Sequence, residues 1–335
     1  MHVSLLVGRL SVAALSAIAA TTPWAQSDNS VASTYPNPSR TIRIVDAFPP
    51  GGSTDYLARQ IANRIGADWK ASLIVENRAG AAGQVGTGWV ARSEADGYNV
   101  LVIPNELWTV APVLYGKRLP YDTHKQLMQL APVAEVPIVV TVNPSLPVSN
   151  IKELVAYAAQ KPGQASYGSA GVGSIHQLTA ELFASKAGVS LLHVPYQGTA
   201  PAINGLLGGQ VTAVFSPISS VLPHIKAGKL KALAVTGGAR AQALPNVPTV
   251  AEAGVPDYQA TFRVSLLAPR GIPELVRKKW FDEVRKVMDS AEVRNAIAVQ
   301  GIEPDLIDHG AWLERFAQEG RQWQSVIDKA QLRVE

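Results

Sequence analysis

Short apolar runs along the chain alternate with Gly-, Pro- and Ser-rich breaks and with stretches whose apolar residues recur at helical spacing. Thr-Ile-Arg-Ile-Val at 41 to 45 predicts a strand, and Phe48 to Gly52 a turn. Ser53 then offers an N-cap for a helix with Leu57, Ile61 and Ile65 on one face. Leu73 to Val75 reads as a second strand. A loop with Gly80, Gly83, Gly86 and Gly88 leads to a turn at Trp89 to Arg92, and Val100 to Ile103 is a third strand. Strand, helix, strand, helix, strand in this order predicts parallel pairing with right-handed crossovers.

A second region repeats the alternation. Ile138 to Val142 is an apolar strand, with a Pro-marked turn at Asn143 to Pro147 and a helix over 150–160. Strand Ala165 to Ser169 is followed by a Gly-rich turn, Ala170 to Gly173. The next helix starts at Ser174, where Ser174 and Gln177 stand at capping-box spacing. Strand 190–194, helix 200–207, strand 211–215, helix 219–227 and strand 230–235 continue the pattern. From Pro273 onward only helical periodicity is present, so these helices are expected to return to the first unit. The reading is an α/β fold class in two lobes, each a mixed, mostly parallel sheet flanked by helices. Lobe 1 is placed at 40–138 plus 250–335 and lobe 2 at 139–249, joined by crossing strands.

The N-terminus departs from this pattern. Met1 to Arg9 carries Arg9 and no acid, Leu10 to Ala20 is apolar and alanine-rich, and Pro23 precedes a cleavage point after Ala25. That predicts a signal peptide over 1–25 and an exported product. The apolar run is too short to span a bilayer, which takes about 20 residues, so the chain is not expected to be membrane-embedded.

Composition narrows the chemistry. With 335 residues, 47% of them hydrophobic, the chain can bury a large core, and with no cysteine it has neither disulfides nor thiolate metal sites. A net charge of +4 without any dense Lys/Arg run argues against a nucleic-acid partner. The six histidines, at 2, 124, 176, 193, 224 and 309, show no metal-ligand spacing, and neither a metal nor a cofactor is expected. No Gly-x-Ser-x-Gly elbow, Walker pattern or dinucleotide fingerprint occurs. Nothing nominates a catalytic nucleophile with its base.

What the pattern offers instead is four polar, Gly-rich loops at the carboxyl ends of strands, where open α/β sheets bind ligands. In Phe48-Pro-Pro-Gly-Gly-Ser-Thr-Asp55 the prolines stiffen the turn. Pro50, Gly51 and Gly52 let backbone N–H groups approach a ligand, and Ser53 and Thr54 add hydroxyls at the positive end of a helix dipole. Ala81, Ala82 and Gly83 supply further backbone donors. In the other half, Ser169, Ala170, Gly171, Gly173 and Ser174 repeat the device, with Tyr196, Gln197, Gly198 and Thr199 beside them. Each loop alone is as readily a tight turn or a helix cap. Four at corresponding positions point to a shared cleft for an anion such as a carboxylate. Glu76, Asn77 and Arg78 read as a local ion pair and turn, and Trp89, Trp280 and Trp323 as packing residues. Asp46 is left open between capping a loop N–H and facing the cleft.

These motifs, in this order, resemble a known family. Phe48-Pro-Pro-Gly-Gly-Ser-Thr-Asp55, Val75-Glu-Asn-Arg78 and Asp96-Gly-Tyr98 are followed by Tyr167-Gly-Ser-Ala-Gly171 and Val194-Pro-Tyr-Gln-Gly198. Pro223-His-Ile-Lys-Ala-Gly228 and Leu233-Ala-Val-Thr236 complete the set. Together they resemble the Bug receptors of tripartite tricarboxylate transporters, over nearly the whole chain from about Tyr35. The resemblance implies a periplasmic-binding-protein (Venus-flytrap) fold, a periplasmic location, a small organic carboxylate as ligand and a membrane permease as partner. A monomer without enzymatic activity is expected. The ligand would be held by Pro50 to Thr54 and Ala81 to Gly83, and covered by Ser169 to Ser174 and Tyr196 to Thr199, with Phe48, Asp55 and Ser216 alongside. The family often carries Asp near Thr212 and Ser216; Ser216 in place of an acid tilts the reading away from amino-acid ligands. Two rival readings remain: a receptor of the same fold reporting to a sensor kinase, and a secreted hydrolase using Ser169 or Ser174.

Overall fold

The computed structural model describes residues 35–333 and His2; the expected signal peptide lies outside the described residues. Two mixed sheets each gather helices around them. The first begins with β1 (Ile42–Asp46), α1 (Ser53–Trp69), β2 (Leu73–Asn77), α2 (Gln84–Ala91) and β3 (Asn99–Pro104). Two short helices, α3 (Glu106–Thr109) and α4 (Ala111–Tyr115), and a single turn, α5 (Thr123–Gln126), lead into β4 (Leu127–Val136). The second sheet is built by β5 (Ile138–Val142), α6 (Ile151–Gln160), β6 (Ser166–Ser169), α7 (Ile175–Ala187) and β7 (Leu192–Pro195). It is completed by α8 (Thr199–Leu207), β8 (Ala213–Pro217), α9 (Ile218–Lys226) and β9 (Lys231–Val235). The chain then returns through β10 (Phe262–Pro269), α10 (Glu274–Asp289), α11 (Ala291–Ala298), β11 (Glu303–Pro304) and α12 (His309–Ala330).

Strand order is β11-β4-β10-β3-β1-β2 in one sheet and β7-β6-β8-β5-β9 in the other. The expected parallel cores are present: β1 pairs in parallel with β2 and β3, and β6 with β7 and β8. The antiparallel pairs come from the strands that carry the chain between sheets, β4, β5, β9 and β10, and from the short β11. Alternation explains why the first strands read as solidly apolar. Ile42 and Ile44 face the core beneath α1, while Val45, Leu101 and Ile103 face a second core with Val90, Trp312 and Phe316. Each face of this sheet is covered by helices, so both sets of side chains are buried.

Two local readings differ from expectation. Trp89 lies inside α2 rather than in a turn, and Gly86 and Gly88 are helical. Gly86 is there for close approach, since a Cβ would sit 2.9 Å from Ala47 Cα and from Arg78 O. Strands β4 and β10 were not anticipated. β4 carries Pro132, which has no N–H for the ladder, and the β4–β10 register slips between Val264 and Ser265 so that Val133 is skipped.

Pro137 alone separates β4 from β5, so one chain path serves both sheets. The crossing segments are laced together: Ile218 N–H donates to Pro137 O (2.7 Å), Thr236 N–H to Ile138 O (2.9 Å) and Ala260 N–H to Thr236 O (2.8 Å). Beside them Arg263 pairs with Glu135 (3.2 Å) and with Glu319 of α12, tying β4, β10 and the last helix into one pivot.

Candidate functional site

The first-lobe loop after β1 is shaped from beneath. Asp46 accepts the Phe48 N–H and the Thr54 hydroxyl, both at 3.1 Å. Asn77, ending β2, donates through Nδ2 to Asp55 Oδ1 (3.0 Å), Phe48 O (3.1 Å) and Asp46 Oδ2 (3.3 Å). Asp55 also takes the Gly51 N–H (3.0 Å) and a two-pronged contact from Arg59 (2.9 and 3.0 Å). Burial pushes the Asp46 carboxyl up to about 7 against the pull of its donors. Burial also opposes ionisation of Asp55, but Arg59, the Gly51 N–H and Asn77 together hold it below its ordinary value. Thr54 and Asp55 therefore serve the underside of the loop. Pro50, Gly51 and Gly52 stay exposed and Ser53 half-exposed. Asp46 caps the loop, which decides the question the sequence left open. Glu76 and Arg78 do form the local ion pair (2.6 Å), but Asn77 between them is a brace for the loop.

Beside it, Ala81 and Ala82 hold φ of +47° and +51°, two successive non-glycine residues in the left-handed region, each at a cost of about 1 kcal/mol. Both are exposed. Phe48 and Leu107 close against Gly83, so the two loops touch.

In the second lobe Ser169 is fully buried and works as a loop support. Its hydroxyl meets His193 Nε2 (2.6 Å), accepts the Gly171 N–H (3.1 Å) and lies 3.2 Å from Gly171 O. Ser174 does not form the expected reciprocal pair with Gln177. Its hydroxyl donates back to Gly171 O (2.6 Å), while Gln177 Oε1 takes the Gly173 N–H (2.7 Å). Ala170, Gly171, Gly173 and Ser174 are half-exposed. Tyr196 donates its N–H to Ser169 O (3.0 Å), lays its ring against Gly168 and Gly205 and bonds Gln210 through its hydroxyl (3.3 Å). Gln197 is exposed, and Gly198 precedes α8, of which Thr199 is the first residue.

The lobes meet at these loops. The sequence placed Ser53 as an N-cap, but α1 begins at Ser53 with extended Gly52 before it, which frees the Ser53 hydroxyl. That hydroxyl lies 2.9 Å from Ser219 Oγ, at the start of α9. The first turns of α1 and α9, from opposite lobes, thus touch. Two residues before α9, Ser216 is fully buried on β8 with its hydroxyl unpartnered. A second contact sets Leu114 of α4 against Gly173. The bonds Val110 N–H to Glu106 O (2.8 Å) and Leu114 N–H to Val110 O (3.0 Å) keep Glu106, Val110 and Leu114 on one helical face. Burial, with Glu319 nearby, pushes the Glu106 carboxyl up to about 8. Glu106, Leu114, His193 and Ser219 were all missed from sequence.

Two surface hollows of about 470 and 250 Å³ lie elsewhere, one at Pro112 to His124 and one between Gln259–Arg263 and Arg315–Trp323. Neither is lined by the loop residues. Among the described residues no group of three His, Asp or Glu side chains is placed to hold a metal, and no helix is long and apolar enough to cross a membrane.

Residues 57–332 match the family described as "Tripartite tricarboxylate transporter family receptor". BugT of Bordetella pertussis is 34% identical over 300 residues, covering 88% of this chain and 90% of that protein. Among solved structures, Rpa4515 of R. palustris with adipate shares 31% identity at a TM-score of 0.81, covering 88% of this chain and 99% of that one. MatC of Rhodopseudomonas palustris with bound malate shares 28% identity at a TM-score of 0.76, covering 87% and 99%. A family match across most of the chain and a shared two-lobed fold lead to one conclusion: the chain belongs to the tripartite tricarboxylate transporter receptor family.

Proposed function

We propose that this protein is a periplasmic receptor that captures a small dicarboxylate between its lobes and hands it to a transporter permease. Export would come from the expected signal peptide at 1–25. The observation that carries the reading is the meeting of Ser53 and Ser219, which brings the first turns of two helices from opposite lobes into contact. Helix amino ends bind anions through backbone N–H groups and dipole, without an arginine. Such a site is complete only when the lobes are together, so an anion there favours the closed form. Adipate and malate, with which the two solved relatives are described, are both dicarboxylic acids. Ser216 supplies a hydroxyl and no carboxylate at the base of α9, which leaves an ammonium group without a partner there and favours dicarboxylates over amino acids.

Hydrolysis fits the geometry poorly. Ser169 does meet a histidine, but it is fully buried, and the second ring nitrogen of His193 faces the Gln177 amide rather than a carboxylate. The test is calorimetric titration of unfolded-and-refolded protein with adipate, malate, succinate, aspartate and glutamate. Dicarboxylates should bind at least tenfold more tightly than the amino acids, and Ser53→Val should abolish binding while the protein stays folded. A stripped, folded protein that binds none of the dicarboxylates would defeat the reading.

A further inference from the structure

His193 lies on the edge strand β7, and no sequence motif assigns it a role. It is half-buried, its ring stacks on Tyr167 (centroids 5.0 Å apart, planes 20° apart), and both of its nitrogens are engaged. Nε2 is 2.6 Å from Ser169 Oγ, and Nδ1 is 3.2 Å from Gln177 Nε2. The Gly173 bond to Gln177 Oε1 decides the proton positions. With Oε1 turned to Gly173, the amide presents its NH₂ to the ring, so Nδ1 must be an acceptor. The neutral ring then carries its hydrogen on Nε2 and donates it to Ser169 Oγ. Ser169 takes the Gly171 N–H and sends its own hydrogen toward Gly171 O. Both branches from the ring end on backbone of the loop from Ser169 to Ser174.

We propose that His193 is the positioning residue of that loop: its neutral Nε2–H form holds the loop in the shape that closes on ligand, and protonation releases it and weakens capture. The inference rests on reading the loop as part of the carboxylate cleft. A protonated ring has a donor at Nδ1, which meets the NH₂ of Gln177. Turning the amide to relieve this sets NH₂ against the Gly173 N–H, so one bond is lost either way. The groups facing the ring are Tyr167 and Ser169 from β6 and Gln177 from α7. Glu181 of α7 reaches it only through the Tyr167 hydroxyl (2.5 Å). Burial lowers the His193 pKa from the ordinary 6.5. The neutral form is thus the one the fold favours: its contribution is complete above pH 6.5 and is lost as pH falls through the lowered value.

The test titrates the refolded full chain with adipate or malate, whichever binds more tightly, from pH 5.5 to 8. His193→Gln keeps a donor near Ser169 without a titrating ring, and His193→Phe keeps the stack on Tyr167 without either nitrogen. Wild type should weaken by up to about tenfold at the acid end relative to His193→Gln, the loss expected for one buried hydrogen bond. That comparison cancels titration of the acid itself, of Asp46 and of Glu106. His193→Phe should bind about tenfold more weakly throughout. Without any ligand, ¹⁵N spectra should show the Nε2–H tautomer, and the Gly171 and Gly173 amides should titrate with the His193 midpoint. An Nδ1–H tautomer, or loop amides that ignore that midpoint, would overturn the proposal. Parallel pH profiles for wild type and His193→Gln would overturn it too. Absence of binding by wild type at pH 7.5 would count against the receptor reading instead, while the spectra still decide this one.

Discussion

Replacing Asn77 by Asp changes one atom's chemistry at the centre of the loop brace, and its cost can be worked out. Asn77 Nδ2 gives its hydrogens to Asp55 Oδ1 at 3.0 Å, Phe48 O at 3.1 Å and Asp46 Oδ2 at 3.3 Å. A carboxylate oxygen in that place would meet the ionised Asp55 with roughly 5 kcal/mol of repulsion at an effective dielectric near 20, and Asp46 as well once its raised carboxyl gives up its proton. That exceeds the cost of taking up a proton, so the cluster protonates instead, and one O–H stands in for the two lost N–H groups. The introduced group then has a folded pKa well above its unfolded value of about 3.9. Its stabilising, protonated form is fully present below that value and is lost as pH rises, at about 1.4 kcal/mol per unit until the shifted pKa is reached. Asn77→Asp should therefore sit only about 1 kcal/mol below wild type near pH 4, for the one donor lost, and fall behind it by ~3 kcal/mol more at pH 7 than at pH 5. Urea midpoints for both proteins at pH 4, 5, 6 and 7 measure this directly. A constant difference across the series would show that Asn77 is not wedged among the two acids, and the account of the loop would fail with it.

Other consequences follow from the contacts between lobes. Gly173→Ala would place a Cβ 2.6 Å from Leu114 Cδ1 at a φ of +78°, so ligand affinity should drop at least about tenfold and small-angle scattering should show a wider molecule. Adding Leu114→Ala should recover part of that loss; no recovery would mean that this contact does not limit closure. Ser219→Ala removes one neutral hydrogen bond and should weaken dicarboxylate binding by roughly three- to tenfold. Combined with Ser53→Ala it should cost little more, and additive losses in the calorimeter would show that the two hydroxyls act separately. Ala82→Gly should raise the unfolding free energy read from urea melts by up to ~1 kcal/mol as left-handed strain is relieved, whereas a lower value would mean that no strain is held there.

Much of the architecture was legible because local signals and tertiary placement agree. The helix from Ser53 buries Leu57, Ile61 and Ile65, as its spacing implies, and the strands at 42 and 100 carry apolar residues on both faces because helices cover both. The missed strands are those whose pattern was shaped by a partner rather than by the chain itself: β4 tolerates Pro132 through a register slip that only pairing with β10 reveals. The loops were found because Gly, Pro and Ser cluster there. Which of their side chains face inward was not legible. Thr54 and Asp55 turn under the loop toward Asp46 and Asn77, and Tyr196 turns toward Gln210. His193 gave no signal at all, since its link to Ser169 exists only through the parallel pairing of β6 with β7. Glu106 did leave a trace, an acid two residues past the end of the apolar strand Asn99–Pro104, at the first position of a short helix.

The two left-handed alanines bear on timing as well as on shape. A surface whose donors are main-chain groups, set in place by Ala81, Ala82 and the braced turn before them, has no long side chains to gather when a solute arrives. Little freedom is left to lose at first contact, so association should run near the diffusional range for a small anion. Selection among similar acids would then fall to how long the second lobe stays shut. Two such solutes would differ in residence time far more than in arrival rate, and a permease waiting on the closed form would be timed by that interval.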